Sequence, residues 1–366
     1  MQPLRILHSE AAVAFGGQEH RVFKEMHAMR ARGHHLEAVC QPHAQLVPRL
    51  RDAGFTVHTM PMGGLANYLK GVAAMRRILR DGRYDVVNTH SRIDTLIAGT
   101  AGRLFGVPLI VRTRHLANRA GSMLSYTWLP HRVTTVSETV RRNLVSRGVP
   151  EAHTATLYTP VVLPPPIEHS PLRGELGLAE DDIVVGCVAV MRAPKGHKDL
   201  VDAIYPLMEA RPRLHMVFVG SGSPTFENIQ AYIQQLGLEK RIHLMGTRRD
   251  VPSLLPGFDL FALATHQEAS GTVYVEAQAA GLPVIGTDVG GVSEIMRDGV
   301  TGILVPAKNP PALRAALERL IDNPELRRKM GAAGRSMVWD EGIFSPARLA
   351  ENTEAVYRKW LAERQA

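Results

Sequence analysis

Two glutamates, Glu268 and Glu276, lie eight positions apart in a segment whose other residues suit the binding of a phosphate. Between them, residues 270–272 (Ser-Gly-Thr) have the polar, flexible character of a helix N-terminus, and the helix that follows is ended by Gly281 and Pro283. A helix N-terminus presents free backbone N–H groups to an anion, and nearby carboxylates accept hydrogen bonds from ligand hydroxyls. Because two glutamates at this spacing are also common on surface helices, the spacing alone does not assign the site.

A basic loop is the second candidate. Arg192, Lys195 and Lys198 surround Gly196, directly after the apolar run of residues 183–190. In open α/β sheets ligands bind at the carboxyl ends of strands, and cations placed there offset the charge of a diphosphate. The alternative for these three residues is that they are ordinary surface cations.

The third candidate is a pair of glycines, Gly16 and Gly17, which follow the first apolar run and precede a helix-like stretch. Adjacent glycines allow the backbone to approach a phosphate or sugar closely, although a simple strand-to-helix turn would use them too. The segment is not a G-x-G-x-x-G fingerprint, so a nicotinamide-dependent dehydrogenase loses its main support in the sequence.

The elements that must position these residues alternate between short apolar β-like runs and amphipathic helix-like stretches. Residues 4–8, 18–32 and 36–40 form the first such set, and this alternation predicts a mostly parallel, doubly wound sheet. The four prolines of residues 158–167 exclude a central strand or a helix interior, so this segment is predicted to link two domains. Since the alternation restarts at Ile183, we expect an α/β protein with two Rossmann-like halves in tandem.

Charge is divided unequally between these halves. The 366 residues carry a formal net charge of +8, but residues 1–160 alone hold 21 Lys and Arg against 10 Asp and Glu, a balance of +11. The remainder is therefore slightly acidic. This imbalance predicts that the first half meets a polyanion, an anionic membrane surface or a phosphorylated substrate.

Several classes of protein are disfavoured by what the sequence lacks. The longest apolar run is too short to cross a bilayer, and the first ten residues do not have the layout of a signal peptide. Cys40 and Cys187 are predicted to be buried, unreactive thiols. The motifs D-x-D, H-E-x-x-H, C-x-x-C, G-x-S-x-G and the Walker loop are missing, which argues against a metal site, acyl transfer and ATP hydrolysis.

Taken as a whole, the segment from Glu268 to Gly291 resembles the E-x7-E signature of the retaining GT-B glycosyltransferases of family 4. The resemblance includes the trailing A-x-G-x-P-V-I-x-T-x-x-G-G pattern, and it implies two Rossmann-like domains with a donor and acceptor cleft between them. It also implies a diphosphate held by backbone amides at Gly271, Thr272 and Val273. Glu276 is implied to bind the ribose and Glu268 the hydroxyls of the donor sugar.

Ser270 marks a departure from the family pattern. The family usually has Gly-Phe-Gly after the first glutamate, whereas Ala269-Ser270-Gly271 stands here, which predicts a reshaped sugar pocket. The resemblance further implies that Arg192 and Lys195 clamp the pyrophosphate, with Lys198 as the alternative to Arg192.

Other positions carry the resemblance along most of the chain. His115, in Thr-Arg-His, is similar to the strand-end histidine that faces the transfer site, and Gly16 and Gly17 match the N-terminal glycine loop. Gly220 and Arg248 lie in segments that resemble the loops around the nucleoside. The implied domains are residues 1–163, completed by a closing helix over 345–366, and residues 164–344.

The resemblance implies a retaining, metal-independent transfer of a sugar from a nucleotide-diphosphate donor, with a UDP-sugar favoured. The expected acceptor is a saccharide or glycolipid of cell-envelope polysaccharide or lipopolysaccharide synthesis, and no cofactor or metal is expected. A nucleotide-sugar epimerase or a sugar phosphorylase is the alternative within the same fold. A nucleic-acid partner is not expected, because the basic residues are dispersed and no nucleic-acid motif is present.

Two segments of the basic half could contact a membrane. Residues 67–83 place Leu69, Val72, Met75 and Leu79 on one predicted helical face beside lysine and arginine, and residues 122–131 are rich in large apolar side chains. Ordinary packing inside an α/β domain is the alternative for both segments. The protein is expected in the cytoplasm, and a membrane contact would place it at the cytoplasmic face of the inner membrane.

Overall fold

The structure is a computed structural model that describes residues 2–167 and 169–365. The chain divides into two compact units, one formed by the residues up to Val162 with the segment from Phe344 onward, and the other by Leu163–Ile343. Each division lies one residue before the boundary that the sequence suggests. We refer to them as unit 1 and unit 2.

Unit 1 contains a parallel sheet of seven strands, in the order β3-β2-β1-β4-β5-β6-β7. These strands are β1 (Arg5–Glu10), β2 (His35–Cys40), β3 (Thr56–Thr59), β4 (Val86–Thr89), β5 (Leu109–Arg114), β6 (Arg132–Thr135) and β7 (Thr154–Thr156). The central strands β1, β4 and β5 are buried along nearly their whole length, because helices cover both faces of such a sheet.

The helices of unit 1 follow the strands in alternation. They are α1 (Gly17–Ala31), α2 (Leu46–Asp52), α3 (Leu65–Gly82), α4 (Arg92–Asp94), α5 (Thr100–Leu104), α6 (Leu124–Thr127), α7 (Glu138–Val145) and the closing α16 (Pro346–Gln365). A π-helical turn, Thr95–Gly99, joins α4 to α5, and a 3-10 turn, Glu151–His153, precedes β7.

Successive residues of β1 point to opposite faces of the sheet, and each face has its own hydrophobic cluster. Ile6 packs in a cluster with Met26 of α1 and Tyr357 of α16. The adjacent Leu7 packs in the second cluster, with Met75 of α3. Because α16 contributes buried residues to the first cluster, the C-terminal segment is part of unit 1.

Unit 2 contains a parallel sheet of six strands, in the order β10-β9-β8-β11-β12-β13. These strands are β8 (Ile183–Val188), β9 (Leu214–Val219), β10 (Ile242–Leu244), β11 (Leu260–Leu263), β12 (Val284–Thr287) and β13 (Gly302–Val305). The helices are α8 (Leu172–Leu176), α9 (His197–Ala210), α10 (Thr225–Gln235), α11 (Val251–Leu254), α12 (Thr272–Ala279), α13 (Val292–Ile295), α14 (Pro310–Ile321) and α15 (Pro324–Trp339). Two parallel sheets of Rossmann type confirm the predicted α/β fold class.

Residues 67–83 and 122–131, the two segments of unit 1 that could contact a membrane, are only partly buried. In α3, Met75 and Leu79 pack in the core, but Leu69 is 62% exposed, so it does not share their face as the sequence analysis expected. Six residues correspond to a rotation of about 240° around an α-helix, which turns Leu69 away from Met75. In the 122–131 segment Tyr126 is buried and Trp128 is 69% exposed. Within the described residues we find no helix with both the length and the apolar character that crossing a membrane requires.

Candidate functional site

The sheet of unit 2 has a topological switch point between β8 and β11. From β8 the chain continues on one side to β9, whereas β11 begins the other half of the sheet. In open α/β sheets, ligands bind at the carboxyl ends of the two strands that flank such a point. Here the loop after β8 carries Arg192 and Lys195, and the loop after β11 carries Glu268.

The basic loop after β8 is held in place by the loop after β11. Thr265 Oγ1 donates a hydrogen bond of 3.0 Å to the carbonyl of Pro194, and the backbone N–H of His266 donates one of 2.7 Å to the same oxygen. Gly196 has φ +66°, and a Cβ at this position would lie 1.9 Å from the carbonyl oxygen of Ala264. Only glycine therefore allows this close approach of the two loops.

Lys195 and Glu268 form the central contact of the site. The Nζ of Lys195 lies 2.6 Å from Oε2 of Glu268, and the two side chains are 27% and 14% exposed. Arg192 lies in the same loop and is exposed, with no ion pair to another described residue. The basic loop thus carries one cation paired with a carboxylate, Lys195, and one without an ion pair among the described residues, Arg192.

The E-x7-E segment begins at this contact. Gly271 caps α12 in a left-handed conformation (φ +62°), so Thr272 and Val273 form the first turn and the half-buried Glu276 follows one turn later. Ser270 precedes the cap. Because the first N–H groups of a helix have no intrahelical acceptor, this turn can receive an anion.

Gly290 and Gly291, the paired glycines at the end of the signature, contact the backbone of Glu268. Gly291 donates its N–H to the carbonyl of Glu268 at 3.1 Å. Gly290 has φ +55°, and a Cβ there would lie only 1.6 Å from the same oxygen. The two ends of the segment from Glu268 to Gly291 are therefore fixed against each other by backbone contacts.

Gly220 and Arg248 lie in the loops that follow β9 and β10. Gly220 donates its N–H to Gly246 at 2.8 Å and allows close approach to the 189–191 backbone, since a Cβ would lie 1.9 Å from the carbonyl of Ala189. Arg248 is bonded to two carboxylates, to Glu175 at 2.7 Å and to Asp250 at 2.6 Å. Its charge is already compensated within unit 2.

Lys198, the alternative cation, has a different environment from Lys195. Its Nζ lies 2.8 Å from the carboxylate of Asp202 and 4.4 Å from the centre of the Tyr232 ring, and the side chain is 61% exposed. Hydrogen bonding to Asp202 raises the pKa of Lys198. The structure therefore brings Lys195, not Lys198, together with Glu268.

In unit 1, Gly16 and Gly17 lie at the start of α1, after the end of β1. Gly16 donates its N–H to Oε2 of Glu19 at 2.7 Å, and a Cβ on Gly17 would have open space around it. His115 directly follows β5 and is 8% exposed. Its Nε2 lies 3.0 Å from Nδ1 of His90, a residue that the sequence analysis did not single out.

Two buried carboxyl groups near the switch point of unit 1 were also missed. Glu10 ends β1 and is 1% exposed; burial, followed by the charge of Asp94, raises its pKa to about 8. Asp94 accepts hydrogen bonds from the backbone N–H groups of His90 and Ser91, and burial raises its pKa to about 6. Glu10 lies at the end of β1 and Asp94 shortly after β4, and these are the strands beside the switch point. This position is the signal that could have identified them.

A metal-binding arrangement is not seen in the part of the chain that the structure describes. No group of three or more His, Cys, Asp or Glu side chains converges there on a common point.

Two family models match the chain. The model of the glycosyl transferases group 1 matches residues 169–337, and the model of glycosyltransferase family 4 matches residues 15–163. Together they cover most of both units.

The named relatives of this chain are glycosyltransferases. A putative glycosyltransferase EpsD of Bacillus subtilis (strain 168) is 32% identical over 196 residues, which cover 54% of this chain and only half (50%) of that protein. A D-inositol 3-phosphate glycosyltransferase of Actinosynnema mirum is 28% identical over 93% of this chain and 92% of its own. The UDP-Gal:alpha-D-GlcNAc-diphosphoundecaprenol alpha-1,3-galactosyltransferase of Escherichia coli is 25% identical, over 88% and 89%.

A solved structure, that of Anabaena Alr3699/HepE in complex with UDP, has the same fold. Its TM-score is 0.84 over 97% of this chain and 100% of that chain, at 20% sequence identity. At this identity the similarity establishes the fold.

Proposed function

Because the chain belongs to family 4 of the glycosyltransferases and has the GT-B fold, we propose that it transfers a sugar from a UDP-sugar to a saccharide or lipid-linked saccharide in cell-envelope glycan synthesis. The Lys195–Glu268 contact beside the free N-terminus of α12 carries this proposal. The UDP bound to HepE and the diphosphate-linked lipid acceptor of the Escherichia coli relative support the donor and acceptor classes.

In this proposal the diphosphate of the donor rests on the N–H groups of Gly271, Thr272 and Val273. Charge-assisted hydrogen bonds from a helix N-terminus suit a diphosphate, and the left-handed cap at Gly271 leaves these groups unblocked. Lys195 and the unpaired Arg192 stabilise the negative charge that grows on the diphosphate as it leaves. Such stabilisation lowers the barrier only if it is stronger in the transition state than before it.

Glu276 and Glu268 bind the two ends of the donor. Glu276 accepts hydrogen bonds from the ribose hydroxyls and Glu268 from hydroxyls of the sugar, since a carboxylate accepts well from a vicinal diol. Lys195 orients Glu268 through its contact of 2.6 Å. Gly220 and Arg248 lie in the loops that we assign to the nucleoside. Ser270, which departs from the family's Gly-Phe-Gly, changes the shape of the sugar pocket.

On the acceptor side, we assign to His115 a hydrogen bond to the substrate and to Gly16 and Gly17 a close backbone approach to it. The acceptor hydroxyl enters on the face from which the diphosphate departs, so the configuration of the anomeric carbon is retained. No divalent ion takes part, because the helix N-terminus, Lys195 and Arg192 supply the positive charge.

Thermal stabilisation by nucleotides tests the donor assignment. A ligand that binds only the folded protein adds about 2.7 kcal/mol at 100 times its Kd. We expect UDP, without added metal, to raise the Tm, and GDP, ADP and NAD to leave it unchanged. Glu276→Ala should abolish the shift and Lys198→Ala should retain it; a shift with NAD alone would exclude the proposal.

Product analysis separates transfer from the alternatives in the same fold. Release of free UDP together with an elongated acceptor indicates transfer, whereas an epimerase converts the sugar nucleotide without net release of UDP. Retained anomeric configuration of the product, and activity that persists in EDTA, are the expected results. An inverted product or loss of activity in EDTA would contradict the retaining or the metal-independent part of the proposal.

We also propose that unit 1 contacts an anionic membrane at the cytoplasmic face of the inner membrane. Two neighbouring cavities of about 440 and 420 Å³ support this, since arginines line both: Arg76, Arg80 and Arg83 the first, Arg103 and Arg364 the second. Among the described residues no carboxylate lines the second cavity. Burial and the charge of the other arginine lower the pKa of Arg103, as expected for cations without a counter-ion.

Vesicle binding tests this contact. The protein should sediment with vesicles that contain phosphatidylglycerol and not with pure phosphatidylcholine, and salt should weaken the binding. The double variant Arg76→Ala/Arg80→Ala, in two exposed residues of α3, should bind less. Arg328→Ala/Lys329→Ala, two exposed cations of unit 2, is the matched control. Equal binding by both double variants would contradict the assignment to this surface.

A further inference from the structure

Three buried histidines form a continuous chain of hydrogen bonds across the switch point of unit 1. Nδ1 of His8 in β1 lies 2.9 Å from Nε2 of His90, which follows β4, and Nδ1 of His90 lies 3.0 Å from Nε2 of His115, which follows β5. The three residues are 1%, 2% and 8% exposed. The ring planes of His8 and His90 are nearly parallel, at 3°, and their centroids are 5.1 Å apart, which together with the short N–N distance suits an N–H···N bond.

Each ring of this chain carries a single proton. Burial lowers the pKa of His8, His90 and His115, and the positive charge of Arg21 lowers all three further, so the imidazoles are neutral at physiological pH. A neutral imidazole has one N–H donor and one bare acceptor nitrogen. Both hydrogen bonds can then form in only two ways, with all protons directed toward His115 or all directed toward His8.

The surroundings of His8, at one end of the row of three histidines, distinguish these two arrangements. Nε2 of His8 is buried and has no hydrogen-bond partner among the described residues. If the protons pointed toward His8, this atom would be an unpaired buried N–H, which is rarer and more costly than an unpaired acceptor.

The charges around His8 agree with a bare nitrogen there. Arg21 Nε is itself a buried donor without a partner in the described part of the chain, and its cation disfavours a further N–H donor nearby. Glu25 acts in the opposite direction on His8, but its Oε2 lies 3.0 Å from Nη1 of Arg21, so the carboxylate is already paired.

We infer that His8 and His90 are positioning residues that set His115 in the tautomer with a protonated Nδ1 and an accepting Nε2. His90 donates to His115 through Nδ1–H, and His8 donates to His90 in the same sense. The side of His115 that is not bonded to His90 therefore presents an N–H donor and not a base. If the proposed function holds, His115 donates a hydrogen bond to a substrate oxygen and does not remove the acceptor proton.

Nitrogen NMR of the full chain, labelled with ¹⁵N only in histidine, reads the tautomer directly. The signals of His115 are identified by their loss in His115→Gln. At pH 8 we expect a protonated Nδ1 and a bare Nε2 for His115. A protonated Nε2 of His115 in the wild-type protein would overturn the inference, and the measurement requires no substrate.

Two substitutions of His90 test the coupling. His90→Leu removes the donor to His115, so its tautomer should become mixed; His90→Gln keeps an N–H donor at that place and should preserve it. His8→Leu should weaken the preference through His90. An unchanged His115 tautomer in a folded His90→Leu protein would overturn the inference.

A second histidine pair serves as the matched control. His215 Nδ1 and His243 Nε2 lie 3.2 Å apart in unit 2, where they are not part of the chain at His115. His243→Leu should leave the His115 signals unchanged, and the His215 signals report whether unit 2 stays folded in every variant of unit 1.

Kinetics separate this inference from the proposed function. With an active wild-type enzyme, we expect His8→Leu and His90→Leu to lower kcat while the KM for the sugar nucleotide stays within about twofold, and His90→Gln to lose less activity than His90→Leu. A wild-type protein that turns over no UDP-sugar would refute the proposed function and leave the tautomer result intact.

Discussion

The two sheets share one order for their first six strands, yet they fill their switch points with opposite kinds of chemistry. In unit 2 the loops after β8 and β11 hold Lys195 against Glu268, both partly exposed, with glycines that bring the backbone close. In unit 1 the corresponding ends of β1 and β4 hold Glu10 and His90, both almost fully buried. The same topological position thus holds partly exposed charged side chains in unit 2 and almost fully buried groups in unit 1.

Solvent explains this difference. The Lys195–Glu268 pair is partly exposed, so water can solvate both groups when they exchange partners with a charged ligand. Burial makes the charged forms of Glu10 and the histidines costly, which raises the pKa of the acid and lowers those of the imidazoles. A hydrated ion pair suits the binding of a diphosphate, whereas a neutral buried network fixes the direction of a hydrogen bond.

The largest effect is expected from removing the cation of unit 2. Lys195→Ala should lower kcat/KM by about 10²–10³-fold, the usual cost of losing one group that stabilises developing charge. Lys198→Ala, which removes a lysine paired with Asp202, should change kcat/KM by less than about threefold. Steady-state kinetics of UDP release measure both; equal losses would show that net charge, not the contact with Glu268, matters.

The next effect tests the glycine contact behind Glu268. Gly290→Ala should lower the free energy of unfolding by about 2 kcal/mol more than Gly299→Ala, because overpacking adds to the strain of a left-handed residue. Both glycines have positive φ, +55° and +70°, but only Gly290 would place a Cβ 1.6 Å from a carbonyl oxygen. Thermal denaturation with and without UDP should show that Gly290→Ala alone also weakens nucleotide binding.

A smaller effect concerns the buried acid of unit 1. The pKa of Glu10 is raised from 4.5 to about 8, so between these values the folded state keeps a proton that the unfolded chain has lost. Its contribution to stability therefore falls as pH rises through this window. Glu10→Gln should flatten the loss of Tm between pH 5 and pH 8. Asp81→Asn, at a carboxyl that is 54% exposed, should not; a Glu10→Gln slope equal to that of the wild type would refute the buried-acid assignment.

The sequence could predict the alternation of elements because apolar runs and amphipathic stretches are local signals. The helix-like stretch at residues 18–32 is observed as α1, Gly17–Ala31. Strand β3, Thr56–Thr59, was missed, since it lies at the edge of its sheet and is only partly buried. An edge strand lacks the continuous apolar run by which a central strand is recognised.

For the sites, the difference between the units decided what could be predicted. The groups of unit 2 lie in contiguous motifs, so Glu268 and Lys195 were found from sequence alone, although their roles remain predictions. His8 and His90 are 82 positions apart, and their contact arises only when β1 and β4 pair in the sheet. No local pattern encodes that meeting, and an isolated histidine in an apolar strand has no distinguishing signal.

The smallest effect compares the one cysteine of each unit. Cys40 and Cys187 are buried, as predicted, and burial raises the pKa of both thiols to about 12. Because the thiolate is the reactive form, both thiols should react only slowly with a disulfide reagent in the native protein at pH 8, and at once in guanidinium chloride. Mass spectrometry of the slowly labelled native protein then shows which cysteine is labelled first, and hence which unit opens first. Earlier labelling of Cys40 would mean that unit 1 opens first despite its buried network, and fast labelling of either thiol would contradict the burial described here.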